Sequence, residues 1–171
     1  MDTARNNFPP AFAELYSAEL LEAVVEAATN PGSAIHGPEH WARVAHNGLA
    51  LADETAGADR DVIRLFALLH DAMRENDSHD PEHGARAADL ALELLALLEL
   101  SDDQYRLLVT ACEQHDRGHV SLDPTIGCCW DSDRLDLPRV GTTLDLRYFS
   151  TAAGRNRVAS ILGNVRGFQR R

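Results

Sequence analysis

The sequence contains no lysine: all 16 basic residues are arginine, set against 27 acidic residues for a net charge of -11. Such a chain has no basic footprint for a nucleic-acid polymer, and none is expected as a partner. An anionic small molecule stays within reach, because bound cations invert the local field of a site. Cysteine is scarce. Cys112, Cys128 and Cys129 make an odd count with one vicinal pair and no Cys-x-x-Cys. That is poor material for a disulfide framework or a zinc finger and reads as small buried side chains in a reducing compartment. The longest apolar run, Leu90 to Leu100, is broken by Glu93 and Glu99 and is too short to span a bilayer. Pro9-Pro10 and acidic residues stand where a signal peptide needs an apolar core, so no membrane is expected and the cytoplasm is the expected compartment. There is no Gly-rich phosphate loop, base-stacking aromatic box, internal repeat or strand alternation.

What remains is helix. At 171 residues the chain is long enough to bury a core without staples. The apolar spacing predicts helices over about 10–28, 38–55, 61–73, 81–98, 102–115 and 126–135. Asn30-Pro31-Gly32 stops the first, Gly37-Pro38 opens the second, and Ser101-Asp102-Asp103 caps the fifth. Arg74 to Pro81 reads as a loop. Pro138 and Gly141 end the regular core. The expected fold is an all-α single domain, a bundle of six or seven helices. Residues 1–141 form its helical body, and 142–171 form a C-terminal extension packing on the same domain. Half of the arginines follow Asp133. The segment from Arg155 to Arg171 either closes over an anionic substrate or is a tail, and its last five residues read as tail.

The polar residues that extend apolar stripes carry the chemistry. Residues three, four or seven apart share a helix face. His40 aligns with Val44, Asn47 and Leu51, and His70 with Ile63 and Phe66. His83 aligns with Ala87, Leu90 and Leu94, His115 with Leu108 and Cys112, and Asp133 with Cys129, Trp130 and Leu137. All are therefore expected to face inward. Asp71 follows His70 directly. Each unpaired buried polar group costs roughly 1–3 kcal/mol, and charges cost more. Four histidines and two aspartates turned inward point to a shared cation. With no convincing thiolate, the set suits iron, manganese, zinc, nickel or cobalt. Six ligands exceed the need of one tetrahedral ion. They serve two ions with Asp71 as the bridge, or one ion with unused neighbours. His46 falls off the face of His40 and reads as structural or exposed. His119 reads as a solvated loop residue.

Five pieces in order resemble the HD-domain superfamily in its branch with two metals. They are His40 in Glu39-His40-Trp41-Ala42-Arg43-Val44, His70-Asp71 after Leu68-Leu69, and His83 in His83-Gly84-Ala85-Arg86-Ala87. His115 follows Val109-Thr110-Ala111, and Asp133 lies in Asp131-Ser132-Asp133-Arg134-Leu135-Asp136. The likeness covers about residues 35–141. It implies a metal site at the centre of a helical bundle with one or two divalent transition-metal ions, held by His40, His70, Asp71, His83, His115 and Asp133. It also implies, most often, hydrolysis of a nucleotide or other small phosphoester through a metal-activated water. Asp71 and Glu75 are then the expected catalytic residues, because family members carry acidic helpers after the His-Asp pair, where Arg74, Glu75 and Asp77 stand here. Arg74, Arg134, His36 and His79 are the expected substrate contacts, although Arg134 reads equally as a surface salt bridge and His36 also as a metal neighbour. The same ligands serve a mixed-valence di-iron oxygenase, which is the competing activity. A non-catalytic ligand-binding module is the third reading. The expected partner is a small phosphorylated substrate, with a homodimer as a possible assembly.

Overall fold

The structure is a computed structural model that describes the backbone of residues 5–168 and the side chains of 6–163. The expected tail over residues 167–171 therefore lies largely outside the described residues. Among them are nine α-helices and no strand, as the apolar spacing requires of an all-α chain.

Two of the expected helices are each divided. Pro10–Ala13 (α1) stops short because Tyr16 turns into the core and its hydroxyl donates to Arg64 O at 2.6 Å. Ser17 then caps a new helix, Ala18–Ala27 (α2), accepting from Leu20 N. The third helix, Pro38–Ala52 (α3), opens on proline at its first turn and buries His40, Trp41, Val44 and Leu51 along one stripe. Asp59 accepts from two backbone N–H groups to cap Arg60–Leu69 (α4). That helix is buried almost all round and forms the axis of the bundle. It ends at Leu69 rather than Met73, so His70 and Asp71 lie on the turn that follows.

The expected helix over 81–98 divides into His83–Glu93 (α5) and Leu95–Leu98 (α6), and Glu99 closes the second in a left-handed conformation at φ 53°. Ser101 and Gln104 form a reciprocal capping box on Asp102–Gln114 (α7). Asp123 caps Pro124–Arg134 (α8). A helix that the sequence reading leaves out, Ala152–Phe168 (α9), follows two short 3-10 turns at 137–140 and 146–148. Its apolar residues are not set on one stripe, so its periodicity is weak. Its start is fixed from outside, by Asp131 accepting from Ser150 N and Thr151 N at 2.7 and 2.8 Å.

α3 packs on α4 and α8, and α5 packs on α7. Gly48 makes the first crossing close: a Cβ there would stand 2.6 Å from Ile63 Cγ2. The main core runs through all these helices, and Leu144, Phe149 and Val158 form a small second cluster beside it. Among the described residues no helix is long and apolar enough to cross a membrane.

Candidate metal centre

Six of the predicted residues meet at one end of the bundle because each sits near a helix terminus. His40 is third in α3, His83 is first in α5, and Asp133 is next to last in α8. His70 and His115 are the C-terminal caps of α4 and α7, with Asp71 one residue on. The four histidines and Asp71 are buried, while Asp133 keeps an opening to solvent.

The cluster has two halves. In the first, His40 Nε2 lies 3.2 Å from His70 Nε2, 3.3 Å from Asp133 Oδ1 and 3.5 Å from Asp71 Oδ2. In the second, His83 Nε2 lies 2.8 Å from His115 Nε2 and 3.3 Å from Asp71 Oδ1. The two oxygens of Asp71 thus belong to different halves. Both halves satisfy the spacing of three ligand atoms that can hold one metal ion.

The outer nitrogens decide what the inner ones are. His115 Nδ1 donates to Cys112 O at 2.7 Å, His83 Nδ1 to Asp80 O, and His70 Nδ1 to Phe66 O at 3.2 Å. His40 Nδ1 donates to Asp136 Oδ2 at 2.7 Å. Carbonyls and carboxylates only accept, so each Nδ1 carries a proton, and the Nε2 of each neutral ring presents a lone pair inward. Lone pairs facing each other at 2.8 and 3.2 Å repel unless a cation stands among them. The donor set therefore fits a divalent metal, held by neutral imidazole nitrogens and carboxylates.

The electrostatics agree. Burial opposes charge on His40, but its hydrogen bonds to Asp133, Asp136 and Asp71 outweigh that and raise the imidazole to about 10. Burial lowers His70 to about 3 despite Asp71 and Asp133. Burial alone would raise Asp71; the surrounding imidazoles instead hold its carboxyl well below the usual range. Burial opposes charge on His115 too, but its hydrogen bond to Asp71 outweighs it and raises that imidazole. A cluster that favours protonation of His40 and His115 while keeping its carboxylates ionised is short of positive charge.

The other predicted residues divide. Arg74 and Arg134 line the cavity of about 550 Å³ that opens onto the cluster, as does His36. Arg74 Nη1 stands 3.1 Å from His83 Nε2 and 3.7 Å from Asp71 Oδ1. Arg134 is buried with its guanidinium over the Trp130 ring, and its Nη1 donates to Tyr148 O. It is no surface salt bridge. His36 is closer than a substrate contact requires: its Nδ1 lies 2.9 Å from Asp71 Oδ2, and it can share an ion with His40 and Asp71.

Glu75 and His79 are not brought to the cluster. The turn after Met73 is tied down when Glu75 N donates to Asp80 Oδ2, and the Glu75 carboxylate points to solvent, 3.9 Å from Arg86. Neither residue lines the cavity, and His79 is exposed. The acids outside the cluster that do line it are Asp77, Asp116 and Asp145.

Sequence reasoning missed Asp136, which holds His40 and also accepts from Arg43 Nε at 2.9 Å. The signal was available: Asp136 is three residues after Asp133 on the same terminal turn. It also missed the cavity wall from residues 137–149, which no periodicity marks.

A protein-family model described as HD domain matches residues 38–137. No curated protein and no solved structure matches the chain.

Proposed function

The chain belongs to the HD-domain family, and from that premise we propose that it is a metal-dependent phosphohydrolase acting on a small phosphoester. The observation that carries this reading is the 2.8 Å approach of His83 Nε2 to His115 Nε2, with both Nδ1 atoms already committed to carbonyls. His40, His70, Asp133 and Asp71 Oδ2 would hold one ion; His83, His115 and Asp71 Oδ1 would hold the second. Divalent ions bound there supply Lewis acidity, which makes a water nucleophilic near neutral pH and offsets charge on phosphoryl oxygens.

The rest falls to the chain itself. Asp71 orients both halves through its two oxygens. Asp136 fixes the ring of His40 and its tautomer. Arg74 Nε and Arg134 Nη2 are buried without a hydrogen-bond partner among the described residues, and both residues line the cavity. Guanidinium N–H groups in that state suit phosphoryl oxygens. They favour a phosphoryl group over an uncharged ester.

The test is elemental analysis of protein purified without chelator, joined to phosphate release from a panel of phosphoesters with Mn²⁺, Ni²⁺, Co²⁺ or Fe²⁺. Two ions per chain and release from at least one phosphoester are expected. Metal bound with no release from any, and dioxygen consumed by the iron-loaded protein, would replace this reading with the oxygenase.

A further inference from the structure

The cavity is larger and greasier than phosphoryl chemistry needs. Its volume of about 550 Å³ is that of a small-molecule site, against roughly 30 Å³ for a water in the liquid. One part of its lining is the metal-ligand cluster with Arg74 and Arg134. Another part comes from residues 137–149, at and beyond the end of the family match: Leu137, Val140, Leu144, Tyr148 and Phe149. Leu144 and Phe149 are buried and backed by Val158, so this wall is anchored. Tyr148 is 47 % exposed. It forms the lip beside Gly118, where a Cβ would stand 3.9 Å from the tyrosine ring, at ordinary van der Waals distance.

The charges beside this wall allow one phosphoryl group and discourage more. Three arginines line the cavity, but Arg139 is spent: its Nε and Nη2 donate to Ile35 O and its Nη1 to Asp136 O. Only Arg74 and Arg134 keep a buried N–H without a partner. Asp77 and Asp116 add negative charge to the same lining. A second or third phosphoryl group would meet carboxylates rather than cations.

We propose that the substrate is a monophosphate of a compact alcohol or phenol with an apolar or planar body, which lies against the Leu144–Phe149 wall under Tyr148. Polyphosphates and nucleic-acid chains are excluded by the same features. Which reaction follows binding rests on the phosphohydrolase reading; the preference in binding does not.

The experiment is a calorimetric titration of the manganese-loaded protein with phenylphosphonate, methylphosphonate and pyrophosphate, the last with excess Mn²⁺ so that chelation does not strip the centre. Burying a phenyl ring predicts phenylphosphonate about tenfold or more tighter than methylphosphonate, and tighter than pyrophosphate. Tyr148→Ala, at a half-exposed position, is expected to cut the phenyl-to-methyl ratio to about threefold or less. Equal affinities for the two phosphonates overturn the proposal. So does tighter binding of pyrophosphate, or a preference that survives Tyr148→Ala. If the binding order holds but no phosphoester of the panel is hydrolysed, the phosphohydrolase reading fails and the ligand class stands. If phosphoesters are hydrolysed without the preference, the ligand class fails and the reaction stands.

Discussion

Gly84 faces the carbonyl of Cys112 so closely that a Cβ on Gly84 would stand 2.6 Å from its oxygen. The same oxygen accepts from His115 Nδ1 at 2.7 Å. One close approach of α5 to α7 therefore places His83, the neighbour of Gly84, and fixes the tautomer of His115. Gly84→Ala is expected to push the two helices apart, at a cost of about 1–3 kcal/mol from overpacking. Metal affinity should fall about tenfold or more as the second half of the cluster opens. Calorimetric melting and metal titration read the two effects. In an ordinary helix interior the same change stabilises by about 1 kcal/mol, so a raised melting temperature would sink the idea.

Among the described residues, Asp71 is the one side chain whose oxygens reach both halves, at 3.5 Å from His40 Nε2 and 3.3 Å from His83 Nε2. Asp71→Asn is expected to reduce metal content at both positions. Asp133→Asn should reduce it only where His40 and His70 converge. Chelation of the native protein should lower its melting temperature, since a ligand at a hundred times its dissociation constant stabilises by about 2.7 kcal/mol. The Asp71→Asn protein should show no such shift. Elemental analysis that finds two ions in Asp71→Asn would contradict the bridging role.

The ligand cluster was legible in the sequence because its four histidines and Asp133 extend apolar helical stripes, with Asp71 next to His70, and spacing on a helix reports direction. His40 and His115 were placed inward by their neighbours alone. Glu75 was misplaced because it lies on a turn, where periodicity reports nothing. Its direction is set by Asp80 accepting from its N–H at 2.9 Å, a contact across five residues with no pattern to announce it. The helix over 152–168 was illegible for a related reason. Its start depends on Asp131, twenty residues upstream of Thr151, rather than on its own apolar spacing. The cavity wall at 137–149 is irregular chain held by tertiary packing, so sequence gave no sign that these residues face the cluster.

Asp80 ties the turn after the His-Asp pair to α5. Its Oδ2 accepts from Arg86 Nη2 at 2.6 Å and from Glu75 N, and its backbone oxygen holds His83. Burial alone would raise its carboxyl, but the hydrogen bond from Arg86 outweighs that and holds it below the usual carboxylate range. A depressed folded-state value means that the carboxylate adds stability above about pH 4 and loses it as the pH falls below. Asp80→Asn should cost about 1–3 kcal/mol at neutral pH, from a weakened bond to a charged group. The gap between the native and Asp80→Asn melting temperatures should close on titration toward pH 3. A gap independent of pH would show that packing, and not the charge, holds this turn.

Arg74 stands where a cation is wanted: its Nη1 is 3.1 Å from His83 Nε2 and 3.7 Å from Asp71 Oδ1. Its positive charge competes with an ion in that half and at the same time favours an anionic substrate in the cavity. Arg74→Gln removes the charge and keeps hydrogen-bonding capacity, so its two effects should have opposite signs. Affinity for the ion held by His83 and His115 should rise severalfold, because the like charge next to it is gone. Binding of a phosphonate to the metal-loaded protein should weaken about tenfold or more, because a hydrogen bond between charged groups is worth roughly 1.5–3 kcal/mol. Misfolding would weaken both, and a merely structural arginine would move neither. Metal titration and phosphonate titration of the one variant therefore separate the three outcomes. Arg74→Lys, which restores the charge without the planar fork, should recover the native metal affinity but only part of the phosphonate affinity.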